Sequence, residues 1–227
     1  MKDAISKYYF TSKPLLESLP SGDLTFLRKH LKLLRVEKGK ELFQEGSYPK
    51  GVYILKRGKV KIYQRTQNGS EQIVYIYTPG EMFGYRPLLC KGKHPTSAQT
   101  LEECGIYVLS KEDFLHVLTK STRLSTILLR NLSHEFTVLV NHIASFSQKS
   151  TKERIALSLL ILQEKYRKPN QNQVEITLSR SDLASFAGTT HETVARAISR
   201  FKSEDVLQIR GRKIVIINQD LLHALIE

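Results

Sequence analysis

Cysteine is scarce: Cys90 and Cys104 are the only two in a chain of 227 residues. That is too few for a disulfide framework or a four-cysteine metal site. Long apolar runs are lacking as well, and none approaches the roughly 18 residues of a membrane span. The opening stretch, MKDAISKYYF, carries charge but has no apolar core of a secretory signal, so the expected location is the cytoplasm with no membrane partner. Internal repeats and low-complexity tracts are missing. Common catalytic signatures also fail to close. His134-Glu135 and His191-Glu192 each begin the metalloprotease pattern His-Glu-x-x-His, but Val138 and Ala195 stand where the second His is needed. Ser47-Tyr48-Pro49-Lys50 has Ser-x-x-Lys spacing, yet it falls in an expected turn without companion motifs. Neither Gly-x-Ser-x-Gly nor a P-loop occurs, so no catalytic residue and no metal site is expected.

The chain does hold material for a sizeable core: 41% hydrophobic and 8% aromatic residues argue against general disorder. Its length suits one or two domains, with two favoured. The formal net charge of +13 points to nucleic acid, an anionic ligand or acidic lipid, and cannot choose among them. Counted by segment, residues 1–120 carry +8, residues 121–147 carry +1 and residues 148–227 carry +4. The excess is therefore concentrated in the first half, and the bland account of it is a solvated surface.

Periodicity divides the chain at the same places. From Leu33 to about Leu109, short alternating or β-branched runs are separated by glycines at 39, 46, 58, 69, 80 and 84, the pattern of hairpin-connected strands. Asn68-Gly69 between two such runs predicts a type I′ or related hairpin turn. Ser110-Lys111-Glu112-Asp113 reads as a helix start. After a break near Lys120, Leu124, Leu128, Leu132, Phe136, Leu139, Ile143 and Phe146 form one apolar stripe at spacings of three and four. A helix of that extent is about 39 Å long, more than one sheet needs for cover, and a dimer seam is the sharper reading of it. A polar hinge at 147–150 follows. Then come a helix to about Tyr166, a loop through Lys168-Pro169-Asn170-Gln171-Asn172, two short helices and a terminal hairpin.

The most informative stretch runs from Leu178 to Phe201. Ser179 can cap a first helix, with Asp182 reaching back from three residues on, and small Ala184 lets another helix approach. Gly188 suits a left-handed helix end, and Thr190 can cap the next helix. Val194, Ile198 and Phe201 face inward at spacings of four and three. This is the order of a helix-turn-helix. His191, Glu192, Ala195, Arg196 and Ser199 fall off the apolar stripe and could face a groove. Arg can donate twice to guanine O6 and N7 while Glu accepts from cytosine N4. Alone, Glu192 and Arg196 would read as an ordinary i,i+4 ion pair, and it is the surrounding turn that favours base contact. Arg210-Gly211-Arg212, between two β-branched runs, makes a basic hairpin tip suited to phosphates.

Taken together, the segments resemble the CRP/FNR family of bacterial transcription regulators over nearly the whole chain. The resemblance is strongest at Asp182-Leu183-Ala184 and at Gly188-Thr189-Thr190-His191-Glu192-Thr193-Val194-Ala195-Arg196. It extends to Lys38-Gly39-Lys40-Glu41-Leu42-Phe43-Gln44-Glu45-Gly46 and Val52-Tyr53-Ile54-Leu55-Lys56-Arg57-Gly58-Lys59-Val60-Lys61-Ile62-Tyr63. It implies an α+β fold: a cyclic-nucleotide-binding-type β-roll over 1–120, a dimerisation helix over 121–147 and a winged helix-turn-helix over 148–227. By the same resemblance, the helix at 190–201 enters the major groove. Glu192 and Arg196 contact bases there, joined by His191, which stands where several members carry Arg. Ser179, Arg180, Thr190, Arg210 and Arg212 would meet phosphates. The implied partners are double-stranded DNA with a two-fold-symmetric site, a second copy of the chain, a small-molecule effector and, for an activator, RNA polymerase.

The same resemblance marks a candidate effector pocket at Gly84, Tyr85, Arg86, Thr96, Ser97, Leu139 and Val140. Cyclic-AMP binders carry Glu where this chain has Tyr85 and Arg where it has Thr96. Losing the charge-paired phosphate donor costs several kcal/mol in such a site. Leu139 and Val140 replace an adenine-contacting Thr-Ser pair, which also argues against cyclic AMP and leaves open an apolar ligand, another signal or no ligand at all, with no ligand or an unknown one ranked first. No cysteine precedes Cys90, so the family's N-terminal iron–sulfur cluster is not expected, and His134 and His142 do not by themselves support haem. The rival classes are a ligand-sensing regulatory subunit without specific DNA binding and a motif-free enzyme.

Overall fold

The computed structural model describes residues 5–10, 19–168, 171 and 173–226. Pro169, Asn170 and Asn172 of the expected loop and the first four residues of the opening stretch lie outside that set. The described residues form two compact units. One is drawn from 11–65 and 74–134, and the other from 1–10, 66–73 and 135–227.

The first unit is a roll of two antiparallel sheets. Helix α1 (Ser21–His30) leads into β1 (Lys32–Val36), β2 (Glu41–Phe43), β3 (Gly51–Arg57), β4 (Val60–Arg65), β5 (Glu71–Tyr77) and β6 (Met82–Phe83). A single-turn helix α2 (Arg86–Leu89), β7 (Ser97–Thr100), β8 (Cys104–Ser110) and α3 (Lys111–Lys120) follow. The sheet orders are β1-β8-β3-β6 and β2-β7-β4-β5. All six glycines expected at chain reversals have positive φ. At the Asn68-Gly69 turn only Gly69 does, and the bonds Gly69 N–H to Thr66 O (2.9 Å) and Thr66 N–H to Ser70 O (2.8 Å) close a three-residue loop. A type I′ turn would need positive φ at Asn68 as well, so the chain takes the related form, a tight turn followed by a left-handed Gly.

Ser110 caps α3 by accepting from Asp113 N–H, as its sequence suggests. Ser121 then caps α4 (Thr122–Gln148), accepting from Leu124 N–H at 3.0 Å. Leu124 and Leu128 of α4 are buried with Val52, Ile54, Tyr85, Leu109 and Phe114 in the core of this unit. Further along α4 several apolar side chains are uncovered: Phe136 and Ile143 are each 69% exposed and Val140 47%.

The second unit contains α5 (Thr151–Tyr166), β9 (Glu175–Ile176), α6 (Arg180–Ala187), α7 (His191–Ser203), β10 (Leu207–Arg210), β11 (Lys213–Ile216) and α8 (Gln219–Ile226). A full capping box at Ser150 and Glu153 starts α5, leaving a hinge of only Lys149 and Ser150 after α4. Helix α5 is buried over most of its length, from Ile155 through Leu162, so it is the centre of this unit's core. The sheet order is β10-β11-β9. Strand β9 and helix α8 go beyond the sequence reading, which ended at a terminal hairpin. Helix α8 buries Leu222 and Ile226 and packs against α5.

Candidate nucleic-acid interface

Helices α6 and α7 meet at a turn built by local chemistry. Ser179 Oγ accepts from Asp182 N–H at 2.9 Å and donates to the Asp182 carboxylate at 2.5 Å, fixing the start of α6. Gly188 ends α6 at φ 63° and ψ 51°, a conformation costly for residues with a Cβ. Two residues later Thr190 caps α7, accepting from Thr193 N–H at 3.3 Å. Val194, Ile198 and Phe201 are buried at 0%, 5% and 0% exposure, which fixes the rotation of α7 about its axis. That rotation leaves His191, Glu192, Arg196, Ser199 and Arg200 on the exposed side.

The exposed side is not closed by its own ion pairs. Among the described residues Glu192 and Arg196 form no salt bridge, whereas Arg200 pairs with Glu204 at 2.7 Å. The Glu192 carboxylate is held below its usual range first by hydrogen bonds to its own backbone N–H and to Thr190, and then by the nearby His191 and Arg196 charges. Glu192 is therefore an ionised acceptor beside a guanidinium with no carboxylate of its own. Arg180 opens α6 half-buried, with burial lowering its pKa from the usual guanidinium value.

Strands β10 and β11 pair Arg210 with Lys213 across a two-residue turn in which Gly211 alone has positive φ, at 60°. The side chains of Arg210 and Arg212 are exposed at this tip. Lys213 is tied to Glu175 of β9 at 2.6 Å, so the wing is anchored at its base. Sequence reasoning missed one neighbour. The 66–72 turn lies beside α6, with Gln72 Nε2 donating to Ser185 O at 2.7 Å, and borders a cleft of about 710 Å³ reaching Thr190 and His191. Gln72 and Ser185 are 113 residues apart, and no local signal marks their contact.

Of the expected effector residues, five belong to the roll and two to the other unit. In the roll, Tyr85 is 1% exposed and belongs to the apolar core, Thr96 and Ser97 are buried, and Ser97 Oγ accepts from Glu45 N–H at 3.0 Å. Arg86 is half-buried. Gly84 is packed so closely that a Cβ would lie 2.9 Å from the Tyr53 ring. Around it runs an aromatic series the sequence reading did not identify: His94 on Phe43 at 3.8 Å, then Tyr53, Phe83, Tyr77 and Tyr75 at successive spacings of 5.6, 5.3, 5.0 and 5.0 Å. Burial pushes the His94 imidazole below its usual pKa. In the other unit, Leu139 is half-buried and Val140 exposed on α4.

Of the two cysteines, Cys104 is buried with its thiol pushed up mainly by burial, and Cys90 is exposed at the end of α2. His142 Nε2 is engaged with Tyr8 O at 2.9 Å. No group of three or more metal-ligating side chains exists among the described residues. No described helix is long and apolar enough to cross a membrane.

A β-roll, a long helix and a winged helix-turn-helix in this order define a DNA-binding regulator with an attached sensor domain, and comparison with known proteins agrees. Residues 33–121 match the cyclic nucleotide-binding domain model, and residues 153–225 match the Crp-like helix-turn-helix domain model. The fumarate and nitrate reduction regulatory protein of Salmonella typhimurium is 30% identical over 84% of this chain and 76% of its own length. The solved structure of FixK2 from Bradyrhizobium japonicum is 25% identical, covers 86% of this chain and 96% of its own, and superposes with a TM-score of 0.76. A CooA mutant from Carboxydothermus hydrogenoformans, 20% identical over 97% of this chain and 99% of its own, shares the fold with a TM-score of 0.76. The chain belongs to the CRP/FNR family of transcription regulators. It is a DNA-binding regulator with a β-roll sensor domain.

Proposed function

We propose that the protein acts in the cytoplasm as a homodimer that reads an inverted repeat in double-stranded DNA and catalyses no reaction. The observation that carries this reading is the exposed side of α7, where Glu192 and Arg196 stand one turn apart without pairing to each other. Two copies of α7 in successive major grooves would lie about 34 Å apart. His191, Glu192 and Arg196 contact bases, while Ser179, Arg180, Thr190, Arg210 and Arg212 set register on phosphates. The domains follow the order 1–120 sensor, 121–147 dimer helix and 148–227 DNA reader. The exposed Phe136, Val140 and Ile143 of α4 support dimerisation, because an apolar face of this size on a charged protein calls for a matching surface.

The sensor responds to something other than cyclic AMP. Tyr85 and Thr96, where that ligand's family contacts would be, are both buried, and Tyr85 is part of the apolar core. Neither side chain supplies a cation. A small molecule without a cyclic phosphate is the effector class, with Gly84, Tyr85, Arg86, Thr96 and Ser97 of the roll and Leu139 and Val140 of α4 as its candidate contacts, and activation would add a surface for RNA polymerase. Sequencing of DNA fragments selected from a random pool by the purified protein tests the reading. A palindromic site, bound equally with and without cyclic AMP, is the expected result. Selection of no sequence, or of an asymmetric one, overturns it.

A further inference from the structure

The hinge between α4 and α5 consists of two residues, and one side chain bridges it to the turn that aims α7. Arg154 lies one turn into α5. Its Nε donates to Ala187 O and its Nη2 to Gly188 O, both at 3.1 Å, and its Nη1 donates to Lys149 O at 3.1 Å. A longer contact joins Nη2 to Thr151 Oγ1 at 3.5 Å, and the guanidinium lies 5.6 Å from the centre of the Phe146 ring. Arg154 is thus the cation at two helix C-termini at once: the end of α4 at Lys149 and the end of α6 at Ala187 and Gly188. Both ends present carbonyls with no partner further along their helix and carry the negative end of the helix dipole.

Arg167 and Arg200 show what is distinctive here. Each of them pairs with a Glu on or beside its own helix, Glu164 and Glu204. Arg154 spends its fork on backbone atoms from two other segments. The carbonyl of Gly188 is only two residues from Thr190, the cap of α7, so the guanidinium is bonded within two residues of the start of that helix. Phe146 completes the joint from the other side. A Cβ on Gly188 would come within 2.2 Å of the Phe146 ring, so the turn and the end of α4 are already in close contact.

We propose that Arg154 is a positioning residue for DNA reading, one that locks the end of the α4 helix to the α6–α7 turn so that α7 takes a single orientation relative to the hinge. This rests on the DNA-reading function of α7 proposed above. A Lys at 154 keeps the charge but has no planar fork to hold two adjacent carbonyls and a third segment together.

The test compares wild type with Arg154→Lys and Arg154→Gln in two arms. The first uses amide hydrogen exchange without DNA. Lys149 N–H is bonded to Ser145 O and Thr189 N–H to Ala184 O, each at 3.0 Å, and both report the joint. In either variant, exchange around these two amides should rise together by about 10-fold while the β11 amides of Ile214–Ile216 change less than about 2-fold. An equal rise in β11, or no change at Thr189, overturns the proposal, because it would mean general loss of stability or no link at all. The second arm measures binding to the selected palindrome and to a scrambled duplex of equal length. The variants should lose at least about 10-fold on the palindrome and less than about 2-fold on the scrambled duplex, with the salt dependence unchanged. Equal loss on both duplexes overturns the positioning role. Absence of any preference in the wild type instead defeats the DNA-reading function, and the exchange arm then decides the locking role by itself.

Discussion

Helices α4 and α7 each bury one side and leave another side uncovered, but the uncovered sides are chemically opposite. On α4 it is Leu129, Phe136, Val140 and Ile143, carbon surfaces that water solvates poorly. On α7 it is His191, Glu192, Arg196 and Ser199, donors and acceptors whose bonding capacity is not used up internally. An apolar side of this kind is satisfied by another apolar surface, most simply the same helix in a second copy. A polar side with an unpaired guanidinium is satisfied by a hydrogen-bonding surface, such as the edges of base pairs. The net charge would not have separated the two. The part that carries α7 holds only +4 of the +13.

The most disruptive way to break this contrast is to damage the frame that presents α7. Gly188→Ala places a Cβ at φ 63° and 2.2 Å from a Phe146 ring carbon. The conformational cost and the overpacking each amount to roughly 1–3 kcal/mol, so a loss of about 2–6 kcal/mol is expected in denaturant unfolding of the DNA-binding unit. A loss below about 1 kcal/mol would show that the α4 end gives way easily and that the turn is not held rigid.

The next largest effect should come from the apolar side of α4. Ile143→Glu introduces a charge at a position 69% exposed in the single chain, so the fold should persist with an unchanged circular dichroism spectrum. Its dimer dissociation constant should rise by at least about 30-fold in sedimentation equilibrium, the scale of a central interface residue. A variant that dimerises like the wild type would mean that α4 is not the seam and that its apolar side faces something else.

Features set by neighbouring residues were legible in the sequence. Ser110, Ser179 and Thr190 act as caps because the amides they satisfy lie three residues away. The reversal glycines and the inward face of α7 follow from equally local constraints. What was not legible depends on residues distant in the chain. The Arg154 fork reaches 33 and 34 residues forward, and nothing near position 154 distinguishes it from a solvated arginine. The aromatic series through Phe43, Tyr53 and Phe83 forms only after strands from different hairpins pair. The apolar stripe of α4 was visible as one feature, but its division at mid-helix was not. Leu124 and Leu128 are covered by the roll, while Phe136 and Ile143 have no equivalent cover among the described residues.

The finest discrimination concerns the polar surface itself, because α7 and the wing are both basic and only one of them is in a position to read bases. Arg196→Ala should weaken binding to the selected site by about 1–3 kcal/mol and relax preference at a single base pair, since a bidentate contact to one guanine is lost. Arg212→Ala at the wing tip should cost less, weaken all duplexes alike and lower the salt slope by about one, because a phosphate contact releases counterions without regard to sequence. Affinity measured on every single-base variant of the site, at two salt concentrations, separates the two patterns. Should both variants lose affinity uniformly, Arg196 acts as a second phosphate contact. The exposed side of α7 would then differ from the exposed side of α4 in charge alone, with no sequence information in it.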